Sequence, residues 1–251
     1  MNRPKNFTIR RMPSRQTNDP RKVLNAPGVV VFLVALTALA FFALLFLPER
    51  VVRFFEVYGA VSPYRFGLGA SANGGVLAMF APFVTHMFLH ADLTHLGFNM
   101  LWLLAFGTPV AQRMGADNAL QSNAGMLSAG IFTTFYFLCG AAGALVYILF
   151  HQNQFTFLVG ASGGVSGLMG ALVRIALARM SMFSPAEGSL APLFSRGVLV
   201  WTAVVVGINV FIGAFGNPVG EGQIAWDAHI GGYLFGLITA PFFLALSQPQ
   251  R

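Results

Sequence analysis

Six apolar runs, at about residues 28–47, 93–111, 125–150, 157–178, 197–216 and 224–246, take up most of this 251-residue chain. Each is close to the ~20 residues with which an α-helix crosses the hydrocarbon of a bilayer, where every backbone N–H and C=O must be satisfied inside the segment itself. A chain built this way is expected to fold as an all-α membrane protein, a six-transmembrane-helix bundle, and its connections leave no room for a separate soluble domain. Composition agrees, with 56% hydrophobic and only 9% charged residues, against about 25% charged in ordinary soluble domains. The connection 48–92 is too long for a simple link and too apolar for a flexible one. Within it Val51, Val52, Phe55 and Tyr58 approximate the stripe of a short amphipathic helix lying at the membrane surface, and Ser71-Ala72-Asn73-Gly74-Gly75 reads as a turn.

The formal net charge of +7 is placed unevenly: seven of the fifteen Lys and Arg precede residue 23, with Asp19 the only acid among them. Beside a membrane span such a tail reads as a solvated cytoplasmic segment that sets topology, so no nucleic-acid partner is expected. The run 28–47 is too long for the ~7–15-residue core of a secretory signal, and no small-x-small cleavage site follows it before Pro48-Glu49-Arg50. With the tail inside, twelve Lys and Arg fall on its side of the membrane and three, Arg50, Arg53 and Arg65, on the other; without the tail the balance is five to three, so the tail decides. The expected organisation is a basic cytoplasmic tail 1–27, a six-span domain 28–246 and a short C-terminal tail 247–251. Cys139 is the only cysteine, which excludes an intrachain disulfide.

Polar groups inside spans are expensive and mark function by default. The second span is led in by His86 and His90 and carries His95 and Asn99, the fourth carries Gly160-Ala161-Ser162-Gly163, and the sixth carries Ala228-His229 followed by Gly231-Gly232. All three of these spans run in the same direction, and at ~1.5 Å rise per residue His95, Asn99, Ser162 and His229 share a depth within roughly 10 Å of the outer surface. That agreement points to one site. A serine activated by a histidine base, with donors aimed at a developing oxyanion, is nucleophilic catalysis. Ser162 and His229 fit nucleophile and base, while His95 and Asn99, four apart on one helix face, fit oxyanion donors. Asp227 is a tempting third member, but two residues before His229 on a helix it faces nearly away, which leaves a Ser-His dyad.

Each element alone has a plainer explanation. Gly163-xxx-Gly167 and Gly232-xxx-Gly236 are close-approach motifs for helix packing. They also serve the site, since close packing of the fourth and sixth spans is what brings Ser162 and His229 within reach. A lone membrane histidine is more often a buried hydrogen-bonding residue or a proton relay. His86 and His90 have the spacing of a helical metal-ligand pair, but no carboxylate or cysteine lies nearby, and neither a metal nor a cofactor is expected.

At these residues the sequence resembles the rhomboid family of intramembrane serine proteases. The family's histidine, second histidine five residues on and asparagine four residues further appear as His90, His95 and Asn99. Its Gly-x-Ser-Gly motif appears as Gly160-Ala161-Ser162-Gly163, and its Ala-His with glycines three and seven residues later as Ala228-His229, Gly232 and Gly236. The likeness covers roughly residues 80–245 and is to the basic six-span bacterial form. It implies Ser162 as nucleophile, His229 as general base, His95 and Asn99 as oxyanion stabilisers and His90 as a structural hydrogen-bonding residue. It further implies hydrolysis of a peptide bond in or beside the transmembrane segment of single-pass membrane proteins, with membrane lipid as the surrounding partner and the site opening to the outer face, and a bacterial inner (plasma) membrane is the expected home. Two departures stand out. Members often carry a tyrosine four residues after the nucleophile, stacked on the catalytic histidine, where this chain has Ser166, so His229 must be held otherwise. Some carry Trp-Arg where this chain has Ala81-Pro82, which bears on how the first loop is anchored. The alternative is a non-catalytic rhomboid-like membrane binding protein or a small transporter using the histidines as a relay.

Overall fold

The structure, a computed structural model, describes residues 25–180, 189–216 and 224–247. Most of the tail 1–27 and most of the C-terminal tail lie outside the described residues. Among those described, the regular structure is helical apart from one isolated antiparallel bridge between Val61 and Leu158. The helices are α1 (Gly28–Leu44), α2 (Glu49–Gly59), α3 (Leu93–Arg113), α4 (Asn123–Phe150), α5 (Ser162–Met180), α6 (Arg196–Phe215) and α7 (Trp226–Ser247), with short helical turns from Pro63 to Thr85 between α2 and α3.

Four of these, α4 to α7, are long and apolar enough to cross a membrane by themselves. A fifth span forms if α3 is taken with the segment Val76–Phe88, to which it is bent by 87°. Helix α1 has 17 residues, about 26 Å at 1.5 Å per residue, and ends earlier than the run 28–47 foretells. Its last turn tightens into i→i+3 bonds, with Leu45, Phe46 and Leu47 donating to Phe42, Ala43 and Leu44, because the residue before Pro48 is pushed out of the helical region. In α3, Leu103–Gly107 forms a π-helical stretch. Pro109, two residues beyond it, has no N–H to continue the ladder and its ring crowds the preceding turn, which a wider turn relieves.

Side chains cap the helices that begin in polar loops. Asp92 accepts from the backbone N–H of His95 at 2.7 Å and starts α3, and Ser122 accepts from Gly125 at 3.0 Å and starts α4. Helix α5 begins five residues later than the apolar run 157–178, at Ser162 itself. The residues before it are held extended by the Val61–Leu158 bridge, and Gly160 adopts φ +112°, a left-handed value that no helix interior accepts and that side chains rarely adopt.

The centre of the bundle is α4, α5 and α7, and small residues set their separation. A Cβ on Gly232 would run into the carbonyl oxygen of Gly163, one on Gly236 into that of Gly167, and one on Gly143 would come 2.5 Å from the carbonyl oxygen of Ala228. Backbone therefore meets backbone along α5 and α7, the packing that small-xxx-small patterns permit in lipid. The outward faces are apolar too: Phe32, Leu39, Trp201, Phe211 and Phe242 are exposed, as suits a surface whose solvent is hydrocarbon. Helix α6 is the peripheral member, with 11% of its apolar stretch buried against 50% for α7 and 61% for α5.

One charge inside the bundle has a structural explanation. Pro241 interrupts α7 and, having no N–H, leaves the carbonyl of Leu237 one turn earlier without its helical donor. The buried Arg174 of α5 supplies the replacement, Nη1 donating to Leu237 O at 3.1 Å and Nε to Ala191 O at 2.9 Å. Arg174, one of the twelve Lys and Arg expected on the side of the tail, is thus an interior residue rather than a loop cation. Arg174→Leu is expected to cost about 1.5–3 kcal/mol, the range for a hydrogen bond to a charged group, read as a fall in thermal stability in detergent micelles. Pro241→Ala in the same chain should recover part of the loss by returning an N–H to Leu237, whereas equal losses with and without it would remove this account.

The connection 48–92 is largely helical. Helix α2 presents exposed Phe54, Phe55, Val57 and Tyr58, in keeping with an element that lies at the interface. The segment 71–75 is part helix and part turn: Ser71 and Ala72 close a short helical turn, and the reversal falls on Asn73-Gly74-Gly75, both glycines at positive φ. With Ala81-Pro82 in place of Trp-Arg, the loop is tied down by Thr85 Oγ1 donating to Gly59 O at 2.7 Å and by the Asn73 amide donating to Arg65 O at 2.7 Å and Gly69 O at 2.8 Å.

Candidate active site

Three helices begin, and α6 approaches its end, at the same edge of the bundle. Ser162 is the first residue of α5, His229 the fourth of α7, and His95 and Asn99 lie in the first two turns of α3. The glycine contacts between α5 and α7 bring the first two together: Ser162 Oγ is 2.8 Å from His229 Nε2. Its place at the helix start also leaves Ser162 beside backbone N–H groups that have no intrahelical acceptor, which favour negative charge.

His95 and Asn99 converge on the loop just before the serine. A Cβ added at Gly160 would lie 2.7 Å from His95 Nε2 and 3.9 Å from Asn99 Nδ2. Glycine is thus required there twice, for its φ and for the space that the two donors share. Asn99 Nδ2 spends one hydrogen on His95 O at 2.9 Å, and an amide has a second to give. His95 Nδ1 accepts from the Ala91 N–H over a long 3.4 Å, which assigns the ring proton to Nε2, the nitrogen facing Gly160.

His86 and His90 do not form a ligand pair on one helix. His86 sits in a 3₁₀ turn with Nδ1 2.7 Å from Pro82 O, and the backbone turns extended at Leu89 before His90 is reached. His90 Nε2 instead accepts, at 3.4 Å, from the backbone N–H of Ala161, and its ring stands edge-on to that of His95 with centroids 5.0 Å apart. Together with Gly160 N–H donating to His86 O at 2.9 Å, these contacts fix the loop that delivers Ser162.

Asp227 is buried and turned away from His229, its Oδ2 3.0 Å from Nε2 of His151 at the end of α4. The partner of His229 on its far nitrogen is one the sequence reasoning passed over: Asn209 of α6, whose Oδ1 is 3.0 Å from His229 Nδ1. The signal is in the sequence, since an amide inside the apolar run 197–216 is as conspicuous as the histidines and the serine of the other spans.

Comparison with known proteins follows the same stretch of chain. A family model described as the Rhomboid domain matches residues 77–246. Among curated proteins the chain is 29% identical over 167 residues to RHOMBOID-like protein 6, mitochondrial, of Arabidopsis thaliana, covering 66% of this chain and 44% of that protein. It is 27% identical over 164 residues to Rhomboid protein 1, mitochondrial, of Saccharomyces cerevisiae, covering 65% and 42%. It is 29% identical over 167 residues to Rhomboid protease GluP of Bacillus subtilis, covering 66% and 26%. The matched region thus spans less than half the length of each of these relatives. A match running from the loop before α3 to the end of α7, over an all-helical bundle with apolar outer faces, makes the chain an integral membrane protein of the rhomboid family, whose members are generally intramembrane serine proteases.

Proposed function

We propose that this protein is an intramembrane serine endopeptidase that cleaves single-pass membrane proteins within or near their transmembrane segment. The observation that carries the proposal is the 2.8 Å contact between Ser162 Oγ and His229 Nε2, made at a helix N-terminus beside two convergent side-chain donors. Ser162 Oγ attacks the scissile carbonyl as His229 Nε2 takes its proton. His95 Nε2–H, the free hydrogen of the Asn99 amide and the backbone N–H of Ser162 hold the oxyanion. His229 then protonates the leaving amine, and water, activated by the same imidazole, releases the acyl group. A scissile bond inside an intact helix is hydrogen-bonded and sterically hidden, so the substrate unwinds locally, and small residues near the cut favour this. The bias of Lys and Arg toward the N-terminal tail supports a cytoplasmic N-terminus with the site opening on the outer face; a bacterial inner membrane is the home we propose. The organisation that goes with this is a basic tail 1–27, a protease domain 28–246 and a short C-terminal tail.

The test is purified protein in liposomes with tagged single-span substrates. Wild type should cleave without added metal and with chelator present, and Ser162→Ala should not. Cleavage that persists in Ser162→Ala would remove the nucleophile assignment, and solute flux in the same liposomes would favour a histidine-relay transporter. Asn99→Ala should lower kcat by about 10²–10³, the cost of one oxyanion donor at ~2.7–4 kcal/mol, with KM little changed. A change confined to KM would place Asn99 in substrate binding instead.

A further inference from the structure

The hydrogen bonds around His229 determine more than its distance from Ser162. The Asn209 amide donates through Nδ2 to Val205 O, one turn earlier on α6, at 2.9 Å. That bond uses the nitrogen side of the amide and turns Oδ1, an acceptor only, toward His229 Nδ1 at 3.0 Å. The proton between them therefore belongs to Nδ1, and Nε2 presents a lone pair to the Ser162 hydroxyl 2.8 Å away. This is the tautomer a general base needs. Two other candidates for the orienting role do not fill it: Asp227 is engaged with His151, and the position four residues after Ser162 holds Ser166, with no ring to stack on the imidazole.

We infer that Asn209 is the positioning residue of this site, completing a Ser162–His229–Asn209 chain of hydrogen bonds in which α6 supplies the third member. The inference rests on the protease function proposed above and adds to it the means by which the base is oriented. Its location has a consequence. Helix α6 is the least buried of the four long spans, and among the described residues it is tied to α7 by Asn209, by Thr202, whose Oγ1 is 3.0 Å from Tyr233 Oη, by Gly213, where the Trp226 indole fills the space a Cβ would occupy, and by Val198 and Val205, buried in one apolar cluster with Tyr233 and Leu237. The hydrogen bond that aims the base forms only while α6 is packed against α7.

The experiment measures two rates in detergent, the second-order labelling of Ser162 by a small fluorophosphonate and the kcat and KM for a tagged single-span substrate, together with thermal stability. Asn209→Leu keeps the approximate volume and loses the acceptor. It should lower the labelling rate and kcat by about tenfold or more, the equivalent of one well-placed hydrogen bond, with KM and the melting temperature little changed. Asn209→Asp retains an acceptor for Nδ1–H and should keep most of the activity. Asn209→Ala, smaller and free of overpacking, serves if the leucine variant does not fold. Labelling at the wild-type rate in Asn209→Leu or Asn209→Ala would overturn the inference while leaving the protease function intact. Equal losses in the Leu, Ala and Asp variants would also overturn it, since the contact would then be one of packing rather than of hydrogen bonding. A wild-type protein that neither labels nor cleaves would instead overturn the proposed function.

Discussion

Replacing Ser162 by alanine should abolish covalent labelling by a fluorophosphonate probe and reduce substrate cleavage by about 10⁶-fold, the loss seen when a serine protease loses its nucleophile. The size of the effect follows from the division of labour in the site. The hydroxyl is a weak nucleophile at its free pKa and acquires its reactivity from the imidazole 2.8 Å away. His229→Ala should therefore lose nearly as much as Ser162→Ala, and the double variant should be no worse than either, because residues that act as a unit do not contribute additively. The oxyanion donors remain in all three variants and account, with substrate binding, for whatever catalysis over water persists in them. Mass spectrometry of the labelled protein locates the adduct. An adduct on any residue other than Ser162, or labelling undiminished in His229→Ala, would sink the assignment.

Gly232→Val should be severely damaging although it lies outside the site, costing about 3 kcal/mol at the upper end of the range for overpacking and taking labelling with it. The cost is high because the atom in the way is the carbonyl oxygen of Gly163, part of a helix backbone that has no rotamer to change. Accommodation requires α5 and α7 to separate, and Gly163 is the residue next to Ser162, so the separation falls directly on the contact with His229. Melting temperature and labelling rate should fall together. Gly207→Ala is the control: nothing lies within 4 Å of a Cβ built there on α6, and the exchange should be neutral or stabilise by about 0.5–1 kcal/mol through helix propensity. If Gly232→Val retained wild-type stability, backbone contact between α5 and α7 would not be what holds the centre of the bundle.

The long helices were legible because a lipid-spanning segment has to satisfy its own backbone, so that length and apolarity are enough to announce it. The helix ends were less so. The run 157–178 reads as apolar from its start, yet Phe157, Leu158 and Val159 precede the helix, since the bridge from Leu158 to Val61 and the φ of Gly160 depend on a loop that lies almost a hundred residues away in the chain. His86 and His90 looked like a pair on one helix face because spacing is all a sequence offers. The extended backbone at Leu89 separates them and sends His90 to the Ala161 N–H.

The membrane-spanning architecture, the residues with chemistry to offer and the glycines between them are properties of short stretches, each readable from hydropathy, residue type and period alone. Which nitrogen of His229 carries a proton is not such a property. It depends on Oδ1 of a residue on another helix, whose amide is oriented in turn by Val205 O, and on α6 lying close enough to α7 for the contact to form. Hydrogen bonds between helices are set by crossing angle and axial shift. Those are fixed by the summed packing of the whole bundle, and no local pattern in the chain encodes them.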